Sequence, residues 1–123
     1  MSEMKHYRLV ALSIPFPGRE QELERWYDHQ HLPDCLKLEG FIAAQRFRIE
    51  HAPMGAVGVP AWKVMAIYEI ESADIDTTLA QIPKVARTAA MPMTDALNLG
   101  SAIRLVAVES GPRLVAQAAT TPP

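Results

Sequence analysis

The sequence predicts an α+β domain in which a four-stranded antiparallel sheet carries two helices on one face. Three observations predict it. Runs rich in strand formers alternate with helical periodicity in the order strand, helix, strand, strand, helix, strand. A chain of 123 residues is one domain, with a real core and room for one modest pocket. Three of the strands are apolar on both sides, so a single layer of helices leaves one face of the sheet uncovered.

The run YRLVALSI at 7–14 is the first strand and ends at Pro15, Pro17 and Gly18. From Glu20, QELERWYDHQHLPDCLKL sets Leu23, Trp26, Tyr27, Gln30, His31, Asp34 and Leu38 along a shared side, an amphipathic helix stopped at Gly40. FIAAQRFRIE (41–50) and WKVMAIYEIE (62–71) are the second and third strands, joined by a Gly- and Pro-rich loop. Ser72 is the expected N-cap of a second helix, SADIDTTLAQI, with Asp74 and Asp76 in its first turn. Pro83 and Pro92 should break the helical pattern between that helix and the last strand. SAIRLVAVES (101–110) is the fourth strand. The expected domain is 1–112, with a partly disordered tail at 113–123. This order is the split βαβ arrangement of ferredoxin-like folds.

In the first strand Leu9 and Ala11 oppose Val10, Leu12 and Ile14; in the third, Val64, Ala66 and Ile70 oppose Met65 and Ile67; in the fourth, Ile103, Leu105 and Ala107 oppose Val106 and Val108. With no helices left to cover the second face, a homodimer packed sheet to sheet is expected; a tightly rolled monomer is the alternative.

Fourteen acidic against twelve basic residues leave a net charge of −2, which argues against nucleic acid as a partner. The single cysteine, Cys35, excludes a disulfide framework within the chain and a zinc site built on several thiolates. The apolar run near the N-terminus is broken by Pro15 and Pro17 and is too short to span a membrane, so a cytoplasmic protein is expected.

The unusual segment is Trp26-Tyr27-Asp28-His29-Gln30-His31-Leu32-Pro33-Asp34. Measured from Leu23 on a regular helix, Tyr27 lies at about 40°, His31 at about 80° and Asp34 at about 20°, whereas His29 falls at about 240°. His31 therefore points inward and His29 outward. An i, i+2 pair does not share a metal, so no metal is expected. Pro33 should push Leu32 out of helical angles, so the helix should kink or restart there, and a restarted helix would free N–H groups beside His31 for an oxyanion.

These residues carry a family likeness. ERWYDHQHLPDCLKLEGFIAAQRFRI resembles the W-Y-x-x-x-H-x-P, Gly-Phe and Arg-aromatic-Arg pattern of EthD-like proteins in the dimeric α/β barrel superfamily, and WKVMAIYEIES resembles that group's third strand. His31, Pro33, Gly40 and Phe41 fall on the motif. The resemblance implies a ferredoxin-like protomer, a dimer whose sheets form a barrel, and a small-molecule pocket between sheet and helices. The superfamily spans cyclases, cofactor-free monooxygenases, isomerases and some haem enzymes, so it does not choose a reaction.

The expected activity is lyase or isomerase chemistry, without an organic cofactor, on an aromatic or ketone-containing metabolite. His31 is the expected general acid/base, Tyr68 with Tyr27 donates to the oxyanion, and Asp34 orients the imidazole. Trp26, Tyr27, Arg46 and Trp62 are the expected substrate-binding side chains, although Arg46 and Arg48 also have Glu69 and Glu71 as candidate partners. Cys35 reads as structural, with no histidine placed as its base. Met54, Met91 and Met93 are candidate pocket linings. The alternatives are a cofactor-independent monooxygenase and a non-catalytic dimer holding a small ligand or a haem on His31.

Overall fold

The structure, a computed structural model, describes residues 3–51 and 61–117. Strand β1 (Lys5–Ser13) leads through Gly18 into helix α1 (Glu20–Trp26), a π-helical turn at Tyr27–His31 and a short helix α2 (Leu32–Cys35). Strands β2 (Phe41–Arg48) and β3 (Val64–Ser72) come next, then helices α3 (Ile75–Leu79) and α4 (Gln81–Val85). A 3-10 turn at Leu99–Ser101 precedes strand β4 (Ile103–Val108). The sheet order is β2-β3-β1-β4 and every neighbouring pair is antiparallel, the ferredoxin-like arrangement.

Register decides which side chains meet the helices. β3 alternates strictly, with Val64, Ala66, Tyr68, Ile70 and Ser72 buried. Their partners Leu9 and Ala11 on β1, and Ala44, Arg46 and Arg48 on β2, share that face. The buried core lies there, built on Leu23, Tyr27, Leu32, Cys35, Phe41, Ala66, Tyr68 and Ile70. Gly40 enters β2 at φ +91°, with an added Cβ only 2.8 Å from the Glu71 carbonyl oxygen. A side chain there would strain the backbone and collide with β3 and with Thr78 of α3.

Three local expectations need correction. Asp74, not Ser72, caps α3, its carboxylate accepting from Thr77 N–H; Ser72 closes β3, and its hydroxyl accepts from Asp74 N–H at 2.9 Å. Pro83 does not break the second helical layer, since it sits near the start of α4. Arg46 and Arg48 do not reach for Glu69 or Glu71, because register turns them to the helix face. Arg46 forms a bidentate pair with Asp28 at 2.9 Å, and Arg48 meets Glu24 at 3.0 Å. Of the expected tail, residues 118–123 lie outside the described residues. No described helix is long and apolar enough to cross a membrane.

The other face carries Val10, Leu12, Phe47, Met65, Ile67, Ile103 and Leu105. Ile103 and Leu105 are 41% and 48% exposed. At one end this apolar patch meets ion pairs of Arg8 with Glu69 and Glu109 and a contact of His6 with Glu71.

Candidate functional site

The π-helical turn builds the site. Leu32 N–H donates to the Tyr27 carbonyl, a bond that spans one residue more than an α-helical one. On a regular helix Trp26 and His31 would lie about 140° apart. The wider turn brings them together, and their rings stack at 4.3 Å with planes 15° apart. Tyr27 and Tyr68 meet the same imidazole edge-on, at 5.9 and 6.3 Å. Three aromatic rings from a helix and a strand therefore enclose His31.

Pro33 does not restart the helix. Leu32 keeps helical angles (φ −62°, ψ −46°), so the free N–H groups expected beside His31 have no basis in a break. The widened turn relieves the crowding that a proline ring imposes on the carbonyl four residues back. His29 is exposed, as its outward position on the helix requires.

Burial among these rings lowers the pKa of His31 to about 4, with Arg104 adding to the depression and Asp34 opposing it. The imidazole is neutral at physiological pH. Its Nδ1 is buried without a hydrogen-bond partner among the described residues, and its Nε2 lies 3.6 Å from Cys35 Sγ. The expectation that Cys35 has no histidine beside it is therefore corrected: it stands one helical turn after His31, an i, i+4 spacing visible in the sequence. Burial pushes its thiol up to about 12, so it stays S–H and is no nucleophile. Burial also raises the phenols of Tyr27 and Tyr68, which remain hydrogen-bond donors.

A cavity of about 320 Å³ opens between sheet and helices. His31, Trp26, Tyr27, Cys35 and Tyr68 line it, with α4 and the segment carrying Met93, Leu97 and Leu99 opposite. That segment is anchored by Trp26 Nε1–H donating to the Pro92 carbonyl at 3.1 Å and by Asn98 N–H donating to the Ile14 carbonyl at 3.0 Å. Met93 lines the cavity and Met91 is buried in the core, whereas Met54 lies outside the described residues.

Three expected site residues stand elsewhere. Asp34 does not orient the imidazole; its carboxylate accepts from Gln30 at 2.6 Å and faces Lys37, so it acts on His31 only through its charge. Arg46 is held by Asp28 and Glu24 outside the cavity. Trp62 donates to the Ser101 carbonyl at 2.9 Å and is not part of the wall. Conversely, Arg104 of β4 lines the cavity without having been expected there, because its strand is apolar on both sides and nothing in the sequence marks which side faces the helices. Among the described residues no three His, Cys, Asp or Glu side chains gather as a metal site would need.

No family model matches the chain, and no curated protein matches it at a significant level. Among solved structures it is similar to the crystal structure of an ethyl tert-butyl ether d (EthD) family protein from Bacillus halodurans. The identity is 19% and the TM-score 0.53, over 85% of this chain and 99% of that one. The two share a fold. The family in that protein's name is the one whose helix-and-strand motif this sequence resembles.

Proposed function

We propose that this is an EthD-like, small-molecule enzyme of the cytosol in which His31 performs acid/base chemistry on a carbonyl compound without an organic cofactor. The observation that supports it is the imidazole itself: neutral, ringed by aromatic side chains in the cavity wall, and with one nitrogen unmatched by any described protein group. A buried ring nitrogen with no described protein partner is free to meet a ligand or a water. A neutral histidine removes a proton next to a carbonyl and returns it elsewhere, which is the shared step of isomerases and of lyases that cleave or eliminate beside a ketone. Tyr27 and Tyr68, which line the same cavity and stay protonated at physiological pH, would donate to the developing oxyanion, and the stacked Trp26 would hold the imidazole plane. Two copies join through the apolar outer face of the sheet, leaving the cavity on the opposite face of each.

The test needs no knowledge of the natural substrate. Exchange of α-protons for deuterium in a panel of small cyclic and aryl ketones, monitored by NMR, reports the base directly. His31→Ala should slow enzyme-dependent exchange by about 100-fold or more, while His29→Ala should leave it unchanged. The acid limb of the wild-type rate should fall near pH 4, where the imidazole becomes charged. Equal rates for wild type and His31→Ala would reject the role of His31.

A further inference from the structure

We propose that Arg104 binds the carboxylate of a small organic acid inside the His31 cavity, so that the molecule on which the site acts is an anion; this deepens, and rests on, the acid/base reading of His31. Three observations carry it. Arg104 pairs with Ala11 in the sheet register, so its side chain lies on the helix face and in the cavity wall, while its neighbours Ile103 and Leu105 belong to the outer face. Covering that outer face therefore leaves Arg104 with the cavity. Second, the charged members of the wall are Arg104, Arg87 and no acid; the nearby carboxylate, Asp34, is turned to Gln30 and Lys37. Third, among the described residues no carboxylate pairs with either cation of the wall, Arg104 or Arg87, nor with Arg25 or Arg113 elsewhere, whereas Arg8, Arg19, Arg46 and Arg48 each have one. A guanidinium left unmatched at an apolar cavity is matched best by a carboxylate, which its planar fork binds through two charge-assisted hydrogen bonds.

With the carboxylate held on Arg104, the apolar remainder of the ligand fills the space between Trp26, Met93 and Leu97. Its carbonyl side is then presented to His31, Tyr27 and Tyr68. The bound anion also offsets the influence of Arg104 on His31, and so should raise the pKa of the imidazole.

Isothermal titration with benzoate, phenylacetate and 1-naphthoate, each against its primary amide, tests the proposal on the full chain. Wild type should bind at least one acid about tenfold or more tightly than its amide. Arg104→Gln should erase that preference, and Arg104→Lys should retain part of it. NMR titration of His31 should show its pKa rising when the acid is bound. An acid and amide that bind alike, a preference that survives in Arg104→Gln, or no binding of any acid at millimolar concentration would each overturn it. Thermal melts of both variants check folding, and Arg104→Lys keeps the test alive if the glutamine variant unfolds. His31→Ala separates the two readings: it should keep the acid preference. If wild-type proton exchange is absent while the preference still depends on Arg104, the acid/base reading falls and the carboxylate site stands.

Discussion

His31 stays neutral because its ring is shut among Trp26, Tyr27 and Tyr68, and that burial couples its protonation to folding. The unfolded chain binds a proton at the ordinary histidine pKa of 6.5, the folded chain only near 4. Between those values the unfolded state holds more protons, so stability is fully present above about pH 6.5 and is lost as the pH falls toward 4. At 1.36 kcal/mol per pKa unit, the loss attributable to this one side chain is about 3 kcal/mol. Urea unfolding at about pH 7 and about pH 4.5 should show His31→Phe losing much less stability than wild type across the same interval. If the two fall in parallel, the imidazole is not the group that titrates. The same burial leaves Cys35 as an unreactive thiol, its sulfur spent on contact with Nε2 rather than on chemistry.

At the scale of the element, the first helix is where the sequence is legible only in part. The wheel at about 100° per residue separates inward His31 from outward His29, and both side chains lie where it places them. It does not place Trp26 against His31, because it assumes a uniform helix, and one π turn moves every later residue relative to every earlier one. Asp34 shows the cost of that assumption: its inward angle on the wheel suggests contact with the imidazole, whereas the structure turns it to Gln30. Proline supplies the reason for the wide turn, and this gives a prediction. Pro33 is exposed, so Pro33→Ala leaves no cavity, and alanine in a helix interior is favoured by about 3 kcal/mol over proline. The variant should melt no lower than wild type, yet its helix should relax toward regular spacing, and the His31 ring protons should lose the ring-current shift imposed by Trp26. Proton exchange should fall with it. An unchanged ring-current shift would mean that packing of Trp26 on His31, not the proline, sets the turn.

For the molecule as a whole, the strand patterns carry most of the architecture. The order of elements leads to the β2-β3-β1-β4 sheet, since a right-handed split βαβ pair interleaves its strands that way. What those patterns leave open is which face of β4 meets the helices, and with it the place of Arg104, because a strand apolar on both sides has no alternation to orient it. That same feature is what the proposed dimer rests on. Val10, Leu12, Phe47, Met65, Ile67, Ile103 and Leu105 form an apolar field beside the ion pairs of Arg8 and the polar contact of His6 with Glu71, an apolar centre with a polar margin of the kind that protein interfaces share. Sedimentation equilibrium at micromolar concentration should give a dimer. Leu105→Asp should give a folded monomer, because it places a charge on the apolar outer face through which the two copies are proposed to pack and disturbs nothing on the helix face, where the core and His31 lie. The monomer should keep its His31 cavity and bind the same ligands, but melt at lower temperature and aggregate as concentration rises, the apolar field being exposed. A wild-type chain that sediments as a well-behaved monomer would require another cover for that face, and a Leu105→Asp chain that stays dimeric would move the interface off the sheet.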